Sequence, residues 1–364
     1  MVSVSFKTLL DQQKPSYQAG ARTAIHSGNA GDLLYSLPSV RALGVRHLFL
    51  NVYRDPDPNW KLTHESAMGL APLLLAQDYI DRVTVVTAGV PLQSVDPECI
   101  GVDYILDQFR NQDFTQMHLM HSYALAMKVE IDPNEPFLSV PLAANGSHAD
   151  LVIASTPRYR LLSEEFIRQI ALYFGNIVIL ALPEEWRVIS GTSGEVRKCR
   201  DFLEMAQIIN GSGLFVGNPS LASAVAEGLK VPRIIDLPVV ANAFPIGPRG
   251  YVLPTRRGEF LDMVRHLCPD NLKVSSMYAD LNTSIRNLTV ENEKLREVAA
   301  SDVAGSPADQ VPAVHPSGEA ASPEIISLAR EASNPRFPRS GGREIRVEEA
   351  HEAIYMHPAS GATG

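Results

Sequence analysis

A strand, a glycine-rich turn and a helix follow one another near the N-terminus, and this junction constrains the fold more than any other feature of the sequence. Residues 22–27 (RTAIHS) are predicted to form a strand, residues 28–31 (GNAG) a turn, and residues 32–43 a helix that stops at Gly44. Small side chains in the turn would let a phosphate group approach the free N–H groups at the helix start. We therefore predict that Gly28, Asn29 and Gly31 bind a phosphorylated substrate.

Strands and helices continue to alternate up to about residue 270, which is typical of parallel sheets covered by helices. A chain of 364 residues also exceeds the roughly 250 residues that a single core usually serves. Three prolines and the loop AANGSHAD interrupt the pattern near residue 145. The sequence thus predicts an α/β fold of two Rossmann-like domains facing a cleft, residues 1–145 and 146–273.

The character of the chain changes after residue 273. Tyr278, Ile285, Asn292 and Ala299 lie seven apart, and leucines at 281, 288 and 295 fill the complementary heptad position. This pattern predicts a helix over 274–300 that forms a coiled coil, and hence a homo-oligomer through 275–300. A helix packed on its own domain is the alternative. Residues 301–364 are rich in Pro, Ser, Ala and Gly and are predicted to be disordered.

Composition argues against several functional classes. The net charge is −9 and Lys and Arg form no cluster, so a nucleic-acid partner is not expected. The three cysteines lie far apart and no HExxH pattern occurs, so neither a disulfide framework nor a protein-bound metal is predicted. No run approaches the ~20 apolar residues of a membrane span. We expect a cytoplasmic protein.

Asp32 stands at the predicted helix start, where two interpretations are open. Its carboxylate could cap the helix by accepting backbone N–H bonds. It could instead act as a catalytic base that takes a proton from an attacking hydroxyl. Pro38 lies within the same helix and is predicted to bend or interrupt it.

Residues 31–43 (GDLLYSLPSVRAL) resemble the N-terminal signature of family 9 glycosyltransferases, the ADP-heptose:lipopolysaccharide heptosyltransferases, which reads roughly GDxxxxxPxxxAL. Gly31, Asp32, Pro38, Ala42 and Leu43 match it. The resemblance covers about residues 20–270. It implies a glycosyltransferase-B fold, a metal-independent reaction with Asp32 as the catalytic base, and a nucleotide-sugar donor held by the C-terminal domain. A glycan or glycolipid acceptor, with peripheral contact to the inner face of the membrane, is implied as well.

The segment LVIASTPRYR, residues 151–160, looks like the strand and Ser/Thr-rich loop of the same family. By this resemblance Ser155 and Thr156 bind donor phosphates. Arg160 falls where the family often carries a phosphate-binding lysine, and a guanidinium can bind a diphosphate in bidentate fashion. A pair between Arg160 and Glu164 is the alternative.

Residues 214–232 align without gaps to the family segment that reads roughly LFIGxDSGxxHLAAALGVP. The family's Asp, Gly and His fall on Pro219, Leu221 and Ala224. Asn218 and Ser220 remain as predicted donor-binding residues. Glu227 is predicted to face solvent, with a donor ribose as the alternative.

Two functions follow from this pattern. The first is an inverting glycosyltransferase that needs no cofactor besides its nucleotide-sugar substrate. The second, favoured by the replaced Asp and His, is a non-catalytic sugar-nucleotide-binding or assembly protein of the same fold. A nicotinamide-dependent oxidoreductase is disfavoured because GNAGD lacks the GxGxxG spacing.

Overall fold

The structure is a computed structural model, and it describes residues 6–52, 62–87, 92, 95–142, 148–156, 164–180, 195–237, 242–254, 257–270, 280 and 283–297. The chain divides into two compact units, Met1–Thr283 and Ser284–Gly364. Both sheets belong to the first unit. Arg160 and residues 301–364 lie outside the described residues, so the predictions made for them stay predictions.

The first sheet has five strands in the order β1-β4-β3-β2-β5. Strands β2 to β5 run parallel, and β1 pairs antiparallel with β4 at the edge. The polar leader gave no sign of β1, because most of its side chains are exposed and it shows no clear alternation. The strands are Lys7–Gln13 (β1), Thr23–His26 (β2), His47–Asn51 (β3), Arg82–Thr87 (β4) and Tyr104–Ile105 (β5).

The second sheet has six parallel strands in the order β11-β10-β9-β6-β7-β8. This is the strand order of a complete Rossmann-type sheet. The strands are Ala149–Ala154 (β6), Ile177–Leu180 (β7), Glu195–Arg197 (β8), Ser212–Gly217 (β9), Arg233–Ile235 (β10) and Gly250–Val252 (β11). The prediction included β6, β7, β9 and β10. It missed the short edge strands β8 and β11, whose three residues each are too few for a readable pattern.

Helices connect the parallel strands as the alternation predicts. They are Ala30–Ala42 (α1), His64–Leu75 (α2), Leu119–Met127 (α3), Glu164–Ala171 (α4), Phe202–Asn210 (α5), Leu221–Leu229 (α6) and Arg257–Leu267 (α7). Short 3-10 helices span Pro97–Cys99 and Leu106–Asn111. The helix α1 continues through Pro38, which is buried, so the predicted interruption is wrong.

One hydrophobic cluster joins the two sheets. It combines residues of α1 and β3, such as Leu33 and Leu48, with Val152 of β6, Phe215 of β9 and Val225 of α6. In line with this, α1 packs against α6 and α2 packs against α5. The predicted α/β fold with two parallel-sheet halves is confirmed, and the halves meet through these helices. The domain boundary near residue 145 stays a prediction.

Residues 283–297 are helical, and each of them is exposed. Of the predicted heptad positions, Ile285, Leu288, Asn292 and Leu295 belong to this helix. Tyr278, Leu281 and Ala299 lie outside the described residues.

Candidate active site

The strand order places a topological switch point next to the predicted junction. From β2 the chain adds β3 and then β4 on one side of β2, whereas β5 pairs with the other side of β2. The strand order therefore reverses between β2 and β5. Ligands of open α/β sheets bind at such a switch point, outside the carboxyl ends of the strands. The loop Ser27 to Asn29, the start of α1 and the 3-10 helix Leu106–Asn111 all lie at this end.

Asp32 is not the N-cap of α1. Asn29 holds that position with an extended backbone and makes no side-chain cap bond, and its carbonyl accepts the N–H of Leu33 at 3.0 Å. The prediction set the helix start two residues too late, because Ala30 and Gly31 already have helical geometry. Asp32 therefore lies in the first helical turn, where a carboxylate complements the positive end of the helix dipole.

The carboxylate of Asp32 pairs with Arg110. The Arg110 Nη2 to Asp32 Oδ2 distance is 3.3 Å, and the side chains are 15% and 22% exposed, so solvent still reaches the pair. Asn29 Nδ2 lies 3.5 Å from the same carboxylate oxygen. The arrangement places the Asp32 carboxylate beside the Arg110 guanidinium and the Asn29 amide at the switch point.

Arg110 is a site residue that the sequence did not predict. It follows β5, and the guanidinium lies 4.8 Å from the ring centre of Phe109. No local motif surrounds it, and 78 residues separate it from Asp32. Only the pairing of β5 with β2 brings the two together.

A layer of buried polar groups supports the loop. The carboxylate of Asp107 accepts the backbone N–H of Ser27 at 2.9 Å and 3.1 Å, and burial raises the Asp107 pKa to about 6. Asn51, at the end of β3, donates to the hydroxyl of Ser27 at 3.0 Å. These bonds fix the backbone at the point where it turns from β2 into α1.

His26 completes this layer. Its Nδ1 accepts the backbone N–H of Gly28 at 3.0 Å, and its Nε2 lies 2.8 Å from the hydroxyl of Tyr123. Burial, reinforced by the charge of Arg110, lowers the pKa of His26 to about 3, so the ring is neutral. Since Nδ1 is an acceptor, the proton resides on Nε2 and is donated to the Tyr123 oxygen.

The space beside Gly28 is occupied by protein. A Cβ at this position would lie 2.8 Å from His26 Cε1 and 3.0 Å from Arg110 Nη2. The glycine was predicted to leave room for a phosphate. The structure gives an additional reason for it, since the ring and the guanidinium fill the space that a side chain would need.

The second sheet has its own switch point, between β6 and β9. Asn218 bridges the two strands there, because its Oδ1 accepts the N–H of Thr156 at 3.0 Å and its Nδ2 donates to the Thr156 carbonyl at 2.8 Å. Ser155 is buried at the end of β6. Ser220 caps α6, forming a capping box with Ser223. Four predicted donor-binding residues thus meet at one place.

Positions 219 and 224, where the family segment has Asp and His, carry no polar side chain in this chain. Pro219 lies between Asn218 and the α6 cap, and Ala224 is fully buried within α6. At this switch point the groups suited to an anion are therefore the N–H groups of the first turn of α6 and the residues around Thr156.

Glu227 is buried, so the prediction that it faces solvent is wrong. Its Oε2 accepts a bond from Arg233 Nε at 2.6 Å, and its Oε1 contacts Lys230 Nζ. Glu227 and Arg233 are 2% and 1% exposed. Lys230 and Arg233, which follow α6, compensate the buried charge of this carboxylate. The helical pattern alone did not reveal these partners.

The starts of α1 and α6 adjoin. A Cβ on Gly31 would lie 3.9 Å from the backbone N and Cα of Leu221. The carboxylate of the first switch point and the helix start of the second therefore belong to one region of the molecule.

Within the described ranges, no helix has the length and apolar character of a membrane span. Over those same residues, no three His, Cys, Asp or Glu side chains are grouped as metal ligands would be.

No protein-family profile and no curated protein match the chain. Among solved structures, E. coli heptosyltransferase WaaC with ADP-2-deoxy-2-fluoro heptose is similar to it, with 13% identity, a TM-score of 0.44, and coverage of 72% of this chain and 99% of that chain. E. coli ADP-heptose lps heptosyltransferase II is similar with 14% identity, a TM-score of 0.46, and coverage of 71% and 99%. A family 9 glycosyl transferase from Veillonella parvula DSM 2008 has 13% identity, a TM-score of 0.44, and coverage of 65% and 86%.

Proposed function

We propose that the protein is a metal-independent, inverting glycosyltransferase of the heptosyltransferase type, which transfers a sugar from a nucleotide-diphosphate donor to a glycan or glycolipid acceptor. The observation that carries the proposal is the partly exposed Asp32 carboxylate, held by Arg110 at 3.3 Å at the switch point of the first sheet. A base in this position can reach a hydroxyl that enters the crevice.

The proposed reaction is a single displacement. The acceptor oxygen attacks the anomeric carbon, its proton passes to Asp32, and the bond from that carbon to the diphosphate oxygen breaks. The bonding electrons leave with the nucleoside diphosphate. Backbone N–H groups at the start of α6, together with Ser155, Thr156, Asn218 and Ser220, would surround the developing negative charge, and Arg160 is assigned the same role.

Replacing Asp32 with Asn tests the proposal. We expect Asp32→Asn to lower the rate of nucleoside diphosphate release by about 10²-fold or more, since the amide cannot accept the proton. Donor binding, followed as a thermal shift, should be retained. Asp78→Asn, at an exposed position on the same half, is the matched control. Turnover that survives in Asp32→Asn would refute the role of the base, and loss of turnover in EDTA would refute metal independence.

A second candidate is a non-catalytic sugar-nucleotide-binding or assembly protein. The polar side chains lost at Pro219 and Ala224 favour it. It predicts that a panel of nucleotide sugars raises the melting temperature while no donor is consumed in the presence of any acceptor. Slow donor hydrolysis that disappears in Asp32→Asn would exclude it.

A further inference from the structure

The helix over residues 283–297 exposes an apolar stripe to solvent. Ile285, Leu288 and Leu295 are 51%, 59% and 60% exposed, respectively. Isolated helices of about 15 residues are marginally stable in water, and most helices gain their stability by burying an apolar face. This helix therefore has a face suited to a partner.

The stripe has the spacing of a coiled-coil seam. Ile285 and Asn292 occupy the a positions, and Leu288 and Leu295 occupy the d positions. Val290 lies on the outer face and takes no part in the seam. We propose that this helix pairs with the same helix of a second copy of the chain, in parallel and in register.

Asn292 favours the parallel arrangement. In a parallel, in-register pair each a residue faces the a residue of the other helix, so Asn292 meets Asn292 of the second copy and the two amides can bond. In an antiparallel pair an a residue faces a d residue. Asn292 would then lie against a leucine, and its amide would be buried without a partner.

The charged residues beside the seam favour the same arrangement. Glu291 occupies a g position and Arg296 the following e position. In a parallel pair a g residue faces the e residue five positions later on the other helix, so Glu291 meets Arg296 of the second copy twice per dimer. In an antiparallel pair g residues face one another, which would set two glutamates together.

Sedimentation velocity of the full chain over a concentration series tests this proposal. We expect reversible dimerisation, weakened roughly five- to tenfold in both Glu291→Lys and Arg296→Glu, because two attractive pairs become repulsive in each. Glu293→Lys makes the same charge change at a position remote from the seam and should dimerise like the wild type. A mixture of Glu291→Lys with Arg296→Glu should restore association, since every g–e contact is then between opposite charges.

Leu288→Asp places a charge in the seam and should abolish dimerisation. Far-UV circular dichroism and the unfolding midpoint, measured beside it, show that the first unit stays folded. A chain that is monomeric at every concentration would overturn the proposal. A dimer that responds equally to Glu291→Lys and Glu293→Lys would overturn the parallel register. Neither result bears on the proposed glycosyl transfer.

Discussion

Replacing Gly28 with alanine separates two explanations for the glycine at the junction. Gly28 is not among the residues with positive φ, so the backbone accepts alanine. The new methyl group would nevertheless lie 2.8 Å from His26 Cε1, closer than real Cβ contacts allow. The His26 ring cannot move freely, because both of its nitrogens are hydrogen-bonded.

The cost of Gly28→Ala follows from these contacts. Inserting a methyl group into a filled space costs about 1–3 kcal/mol. Displacing the His26 ring also weakens its bonds to Gly28 and Tyr123, each contributing roughly 1 kcal/mol. We expect a loss of about 2–4 kcal/mol in the free energy of unfolding. Arg110 Nη2, 3.0 Å from the same methyl position, should shift as well and loosen its pair with Asp32.

Urea unfolding followed by circular dichroism measures this loss. Gly258→Ala is the matched control, because nothing lies within 4 Å of a Cβ at that position of α7. Alanine there should be neutral or stabilise by up to about 1 kcal/mol. If Gly28→Ala unfolds like the wild type and only loses affinity for a nucleotide sugar, the packing argument is refuted and close approach of a phosphate explains the glycine.

Two further predictions concern buried charges, and both are measured as the free energy of unfolding in urea. Glu227→Gln should lose about 3–5 kcal/mol, because Arg233 stays buried without its counter-charge. The control Glu135→Gln removes a charge from an exposed pair and should change stability by less than about 1 kcal/mol. Equal losses in the two variants would contradict the reasoning. The pKa of His26 is lowered from 6.5 to about 3, so its contribution to stability is complete above pH 6.5 and is lost as the pH falls toward 3. The pKa of Asp107 is raised from 3.8 to about 6, so its contribution has the opposite sign, being complete below pH 3.8 and lost as the pH rises through 6. Asp107→Asn should therefore lose stability more steeply between pH 6 and pH 4 than the wild type, by up to about 1.4 kcal/mol per pH unit, and parallel curves would contradict the assignment.

The sequence predicted the parts of the fold that repeat a pattern. Both parallel sheets follow from alternating apolar segments, and the position of Asp32 follows from the signature that begins at Gly31. The edge strands β1, β8 and β11 were missed, because strands that are short or largely exposed have no distinctive periodicity. These strands form by pairing with a neighbouring strand, and such pairing leaves no signal in the local sequence pattern.

The site itself was only half predictable, for a related reason. Arg110 and Asp107 reach the junction from the 3-10 helix that follows β5, and the position of β5 beside β2 is a property of the sheet order. Glu227 was predicted to face solvent because a charged residue on a helix usually does, and its burial could not be inferred from the helix alone. Its two cationic partners come from the turn and strand after α6.

The two switch points differ in what they offer to a substrate. At the first, the pair of Arg110 and Asp32 is partly exposed above a layer of buried hydrogen bonds, and the proposed proton transfer would take place there. At the second, Asn218 bonds to the backbone of Thr156, and Ser220 is engaged in capping α6. If the chain transfers a sugar, the donor phosphates would be bound there mainly by backbone N–H groups. Such groups recognise a phosphate without selecting the sugar or the base, so donor specificity would have to arise elsewhere in the crevice.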